Sequence, residues 1–274
     1  MTASRRLSIV LGALVASLIL ATVAWAKPTT QTASSGDVTA TFTFNGSLPT
    51  ISHPRLKIVR AGHELYNQPV SSPQCGHACG PGAFGAHASS VRVLDIEGDG
   101  QPDVVLELFS GGADCCFVDQ VFSLDPGTMS YVKTEHDFLF GAVIERLAHR
   151  WLFRSGDAGF MCAFTDCADS GQPIQFWSFR AHRFHNVTRQ HPTQIAGDAA
   201  TWLRLFKHHM SNGVGLIAAW AGDEELLGHN RLVQSTLAGY ARKGQLRDGS
   251  NGPDTGKKFI AKLNKLLRQL GYEH

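Results

Sequence analysis

The chain has 274 residues, with 25 lysines and arginines, 23 aspartates and glutamates and 13 histidines, so it is nearly neutral at pH 7. This balance lacks the basic excess that nucleic-acid binding requires, and we expect no nucleic-acid partner. The length is enough for one large domain or two modest ones.

The first 26 residues have the pattern of a secretory signal peptide. Arg5 and Arg6 precede an apolar stretch at 7–23, and Ala24-Trp25-Ala26 supplies the small residues that precede a cleavage site. Cleavage there removes two arginines and no acid, so the 25 basic residues become 23 and equal the acidic ones. The alternative is an uncleaved membrane anchor, because the apolar stretch is nearly long enough to span a bilayer. We expect a secreted, periplasmic or envelope protein whose membrane contact, if any, is an uncleaved leader.

Residues 36–188 have a strand-like pattern. Apolar residues alternate with threonines at 38–44, which predicts a half-buried strand, and residues 56–59 predict another. Residues 71–90 are rich in Gly, Pro, Ser and Ala and predict a loop that contains Cys75 and Cys79.

An acidic loop follows at 95–103, between two β-branched, apolar segments that predict strands at 91–94 and 104–109. It places carboxylates at four odd-numbered positions, with a glycine after the third: Asp95, Glu97, Asp99 and Asp103. Carboxylates so close together repel one another unless a cation lies between them, and hard oxygen ligands with a glycine at the sharp turn suit calcium. An EF-hand is excluded, because the flanks are strands and the twelfth position is Leu106.

Two hairpins are predicted further along, at 121–133 around Asp125-Pro126-Gly127 and at 174–187. They look like one element used twice in a weak repeat. The loop that would correspond to the acidic one in the second copy, at 145–152, is apolar and basic. We expect no second calcium loop there.

After His191-Pro192 the pattern becomes helical. Asp198 is a candidate N-cap for a helix that carries Trp202, and residues 216–227 and 232–240 predict two more helices. Residues 257–270 predict an amphipathic helix whose lysines form a solvated outer face, with membrane-surface binding as the alternative. The predicted organisation is a signal peptide at 1–26, a β-rich domain at 27–192 and a helical region at 193–274.

The six cysteines are an even set, which in an exported chain is consistent with three disulfides. Adjacent Cα atoms lie about 3.8 Å apart, below the usual range of about 4.4–6.8 Å for a disulfide. We therefore expect Cys115 and Cys116 to bond to Cys75 and Cys79, and Cys162 to bond to Cys167. The alternative is a zinc or copper site that gathers five side chains: Cys75, His77, Cys79, Cys115 and Cys116.

Residues 94–116, LDIEGDGQPDVVLELFSGGADCC, resemble the FG-GAP/VCBS group of extracellular repeats, in which D-x-D-x-D-G-x-x-D between two strands holds calcium. The segment is most similar to uncharacterised secreted bacterial proteins with G-G-A-x-C-C after the loop, which share a later block like 163–189. The resemblance implies side-chain ligation by Asp95, Glu97, Asp99 and Asp103 and a backbone carbonyl ligand from Gln101. Glu97 departs from the family pattern, where Asp or Asn is usual.

A closed propeller needs at least four four-stranded blades, and about 150 β-type residues supply only two or three. The predicted fold is therefore α+β, a β-rich open sheet or sandwich with FG-GAP-like hairpins followed by a helical C-terminal part.

The sequence contains no G-x-S-x-G, H-E-x-x-H, P-loop or Rossmann motif. We therefore expect a calcium-binding, disulfide-stabilised, non-catalytic binding or envelope-associated protein with an unknown extracellular ligand. One alternative is an extracellular hydrolase whose catalytic residues meet only in the fold. Another is a periplasmic protein that binds a soft metal through the Cys/His cluster.

Overall fold

A computed structural model describes residues 28–75, 79–83, 88–112, 116–209, 213–247 and 255–272. The predicted leader lies outside these residues. Within them, three antiparallel sheets come first and four α-helices follow. The α+β prediction is confirmed, and the sheets are open and do not close into a propeller.

The first sheet is a four-stranded meander in which each strand pairs with the next along the chain. Its strands are β1 (Thr29–Ser35), β2 (Val38–Asn45), β3 (Ser52–Arg60) and β4 (His63–Pro69). Strand β2 was predicted from its alternating pattern, and Val38, Ala40, Phe42 and Phe44 are buried on one face.

The second sheet has β7, β8 and β9 in sequence order, and both β5 and β6 pair with β7. Its strands are β5 (Gly80–Pro81), β6 (Val91–Leu94), β7 (Asp103–Phe109), β8 (Phe117–Asp125) and β9 (Ser130–Leu139). Strands β7 and β8 are buried on both faces, because this sheet lies between the other two.

The third sheet is another meander, made of β10 (Val143–Leu147), β11 (Arg150–Gly156), β12 (Ile174–Arg180) and β13 (Arg183–Asn186). Residues 145–152 were predicted to be a loop, and this was wrong. They belong to the β10–β11 hairpin, whose turn is confined to Ala148 and His149. The two predicted hairpins are confirmed as β8–β9 and β12–β13, each at the end of its sheet, and their common origin in a repeat stays a prediction.

The three sheets pack face to face around two apolar clusters. One face of β7 contributes Val104, Leu106 and Leu108 to a cluster with the first sheet. The opposite face places Val105 in a cluster with Phe153 of the third sheet. This layering brings the turns that follow β1, β6 and β12 close to one another.

The helices are α1 (Pro192–His208), α2 (Val214–Leu226), α3 (Asn230–Arg242) and α4 (Lys257–Gln269). Helix α1 begins at Pro192, so Asp198 is not its N-cap. Asp198 lies in the second turn and accepts a hydrogen bond from Trp202 Nε1 at 2.7 Å. No helix in the described part of the chain is long and apolar enough to cross a membrane.

The helices have their own apolar cluster, which includes Phe160 and Phe164 from the segment between β11 and β12. On α4, Phe259, Leu263 and Leu267 are buried while the lysines face outwards, as the amphipathic pattern predicted. The Arg189 guanidinium links helices to the third sheet, because it donates to the carbonyl oxygens at the ends of α2 and α4.

Two disulfides are described, Cys75–Cys79 and Cys162–Cys167. The second pair was predicted correctly. The prediction that Cys75 and Cys79 bond to Cys115 and Cys116 was wrong, because the chain reverses locally and brings the Cα atoms of Cys75 and Cys79 to 5.3 Å. Cys116 is also disulfide-bonded, and Cys115 lies outside the described residues.

Candidate metal centre

The acidic loop at 95–103 connects β6 to β7 at the edge of the middle sheet, beside the turns of its neighbours. Its far end contacts the first sheet through Arg60. That guanidinium donates to Asp37 Oδ2 at 3.1 Å and to the side-chain oxygen of Gln101 at 2.6 Å. The loop is therefore fixed to the β1–β2 turn as well as to its own strands.

Asp95 organises the turn of the loop. Its carboxylate accepts backbone N–H groups from Gly98 at 2.8 Å, Asp99 at 3.0 Å and Gly100 at 3.0 Å. Gly98 and Gly100 have φ angles of 77° and 84°, which glycine adopts without steric cost. The two glycines thus let the backbone wrap around one carboxylate.

Asp103 lies beneath the loop and is only 2% exposed. It accepts the backbone N–H groups of Ile96 at 3.0 Å and Glu97 at 3.3 Å. Burial raises the pKa of Asp103 to about 7, and the charges of Glu97 and Asp99 raise it further, against the lowering effect of the two hydrogen bonds. The two hydrogen bonds therefore do not fully offset the cost of ionising this buried carboxyl group beside two other carboxylates.

Glu97 points away from the loop centre towards the third sheet. Its two carboxylate oxygens accept the backbone N–H groups of Ala181 at 3.1 Å and His182 at 3.5 Å, in the β12–β13 turn. This is the residue that departs from the family pattern, and its longer side chain reaches a neighbouring sheet. Its role as a calcium ligand stays a prediction.

The donor set suits calcium chemically. Asp95, Asp99 and Asp103 offer hard oxygens, and each carboxylate oxygen has two lone pairs, so one that accepts an N–H can still contact a cation. Among the residues that the structure describes, no three His, Cys, Asp or Glu side chains are arranged to hold a metal ion. The exposed Asp99 carboxylate accepts the Gln101 N–H at 2.8 Å.

The loop borders a cavity of about 260 Å³ that sequence patterns did not predict. Asp95 and Glu97 line one side of it, and Arg146, Arg150 and Arg180 of the third sheet line the other. These arginines are far from the loop in sequence, and only the strand register brings them here. Carboxylates and guanidinium groups thus face one solvent-accessible space.

A serine–histidine contact bears on the hydrolase alternative. Ser123 Oγ and His182 Nδ1 are 2.6 Å apart. Ser123 is only 2% exposed, so its hydroxyl is not open to solvent. The pair gives the hydrolase alternative no support.

The soft-metal alternative relied on thiolates. Cys75 and Cys79 are joined to each other, and His77 and Cys115 lie outside the described residues. A thiolate, rather than a disulfide sulfur, is the metal ligand, so the oxidised pair gives this alternative no support.

Alkylation of the unreduced protein tests this arrangement. We expect no label on four cysteines, because each is in a described disulfide: Cys75, Cys79, Cys162 and Cys167. The check is peptide mass spectrometry with and without prior reduction. Labelling of Cys75 and Cys79 before reduction would restore the soft-metal site as a candidate.

Comparison with protein-family models, with curated proteins and with solved structures finds no match to this chain.

Proposed function

We propose that this protein is an exported, disulfide-stabilised binding protein of the cell envelope or the surrounding medium, and that it binds one structural calcium ion at residues 95–103. The observation that carries the proposal is that the carboxylates of the loop are crowded together and have no close ion-pair partner in the described part of the chain. Four carboxylates fall within nine residues, and none forms an ion pair within 4 Å with a described basic residue. A divalent cation would offset their repulsion.

The position of the loop supports a structural role for the ion. The loop contacts the first sheet through Gln101, belongs to the second through Asp103, and bonds to the third through Glu97. An ion that fixes the conformation of this loop would hold the three sheets in position relative to one another at the edge where these turns lie. Calcium would therefore act on stability, and ligand binding would fall to the surfaces that the loop positions.

Two described disulfides support export, because disulfides persist in oxidising compartments. Two observations support a non-catalytic role. The Ser123 hydroxyl that contacts His182 is buried, and the cavity beside the loop is lined by charged side chains.

Thermal unfolding in EDTA and in about 5 mM calcium tests the proposal. Extracellular calcium sites bind at roughly 10⁻⁴–10⁻³ M, which gives about 1–2 kcal/mol by mass action at this concentration. For a protein of this size, we expect the unfolding temperature to rise by about 2–8 °C with calcium and not with magnesium. An unchanged unfolding temperature would contradict the proposal.

The variant Asp99→Asn tests whether calcium binds at this loop. Asp99 is exposed, and its backbone contacts are local, so the variant should unfold like the wild type in EDTA. It should lose most of the calcium-dependent rise, because one carboxylate ligand is neutralised. Asp169→Asn, which neutralises an exposed carboxylate distant from the loop, is the matched control and should keep the full rise. Equal calcium responses in the two variants would refute the ligand assignment.

A further inference from the structure

Three arginines form a row across the outer face of the third sheet, the face turned away from the middle sheet. Arg180 on β12 pairs directly with Arg183 on β13. Continuing the β11–β12 register places Arg150 level with Arg180, and both residues line the same two cavities. Since neighbouring strands are about 4.8 Å apart, the three guanidinium stems span about 10 Å.

Like charges placed directly opposite one another destabilise a sheet, so this row lowers the stability of the folded protein. Its presence favours a role other than stabilising the fold. All three arginines are exposed, and none has a described ion pair or side-chain hydrogen bond. Glu145, which register places on the same face, is already paired with Arg154 at 3.1 Å. The row therefore presents positive charge to solvent without a close ion-pair partner among the described residues, and Asp95 and Glu97 face Arg150 and Arg180 only across the smaller cavity beside the loop.

A second cavity, of about 560 Å³, lies on the same face beside two arginines of the row. Its lining contains Arg150 and Arg180 and no carboxylate. Ser178 and Gln190 contribute a hydroxyl and an amide, and Leu152 contributes apolar surface. This volume falls within the range of about 300–1,000 Å³ that small-molecule sites occupy.

We propose that this face binds a compact ligand with two or more phosphate groups, which Arg150, Arg180 and Arg183 contact. Guanidinium groups bind phosphate and carboxylate oxygens through paired hydrogen bonds. A carboxylate carries one negative charge, whereas a phosphate monoester carries about 1.5–2 and three acceptor oxygens. Two neighbouring phosphates place about three to four negative charges, and six acceptor oxygens, within about 10 Å, which matches the three guanidinium groups of the row.

Arg150 and Arg180 also line the cavity beside the acidic loop, so the test uses a calcium-free buffer. The probe is inorganic tripolyphosphate, titrated calorimetrically into the protein expressed from the full-length gene in an exporting host. We expect saturable binding that weakens as salt is added, because the contacts are ionic and accessible to solvent. Inorganic monophosphate and citrate, a tricarboxylate, should each bind at least about tenfold more weakly.

Arg180→Gln tests the centre of the row and should weaken tripolyphosphate binding at least about tenfold. Its unfolding temperature should be equal to or higher than that of the wild type, because the change removes repulsion within the sheet. The matched control is Arg204→Gln, on the exposed side of α1, which should bind like the wild type. If Arg180→Gln folds poorly, Arg183→Gln provides the same comparison at the edge of the row.

Three results would overturn the inference: no binding of tripolyphosphate by the wild type, equal binding of citrate, or equal weakening by Arg180→Gln and Arg204→Gln. None of them bears on calcium, which is measured separately by thermal unfolding. A calcium response without tripolyphosphate binding would remove only this inference, and the reverse result would remove only the calcium proposal.

Discussion

Asp223→Asn should raise the unfolding temperature by about 5–10 °C at pH 8 and change it little at pH 4. Asp223 lies on α2 and is fully buried, and its Oδ1 accepts the backbone N–H of Ile174 at 3.1 Å. Its Oδ2 is buried without a described hydrogen-bond donor, and the carboxyl group of Asp198 lies beside it. Two acceptors can share a hydrogen bond only if one of them keeps a proton.

Burial, and then the charge of Asp198, raises the pKa of Asp223 from 3.8 to about 10. We expect Asp223 to keep its proton and to donate it to Asp198, whose own pKa burial also raises. The pKa of Asp223 is higher in the folded protein than in the unfolded chain. The contribution of this carboxyl group to the free energy of unfolding is therefore fully present below about pH 4 and is lost as the pH rises towards 10. Asparagine would donate to Asp198 and accept from Ile174 at every pH, and so remove a cost on the order of several kcal/mol at pH 8.

The measurement is a set of thermal unfolding curves between pH 4 and pH 8 in EDTA. The wild type should lose stability across this interval more steeply than Asp223→Asn. Asp169→Asn makes the same substitution at an exposed carboxylate and should follow the wild type. A variant whose unfolding temperature is lowered equally at every pH would show that Asp223 is ionised in the folded protein.

The sequence predicted those elements in which buried residues recur at one regular spacing, either that of a strand or that of a helix. Alternation in β2 and the apolar stripe of α4 both correspond to buried faces. The β10–β11 hairpin was missed because its outer face mixes Arg150, Leu152 and Arg154, which gives no clean alternation of apolar and polar residues. The start of α1 was missed because Asp198 reads as an N-cap, although its side chain serves a long-range carboxyl pair.

The candidate sites that the sequence predicted are those whose residues lie close together along the chain. The acidic loop was recognisable because its carboxylates are close in sequence. The arginine row was not, because Arg150 and Arg180 come together only through strand register. Asp223 also gave no signal, since an aspartate in a helix normally faces solvent and only the packing of α2 buries it.

Asp103→Ala should lower the unfolding temperature in EDTA by about 2–10 °C and abolish the response to calcium. The buried carboxylate accepts two backbone N–H groups, from Ile96 and Glu97, at the point where β6 pairs with β7. Alanine would leave both donors without their acceptor, at a cost of about 1–3 kcal/mol. Asp103 is thus expected to support the loop with or without the ion, unlike Asp99.

Asp103→Asn separates the two roles, because it keeps one acceptor oxygen and removes the negative charge. It should retain most of the stability in EDTA and still lose the calcium-dependent rise. The readout is the unfolding temperature of Asp103→Ala, Asp103→Asn and Asp99→Asn, each with EDTA and with calcium. If Asp103→Ala kept the wild-type calcium response, Asp103 would not be a ligand of the ion, and its role would be confined to the two hydrogen bonds that it accepts from the loop.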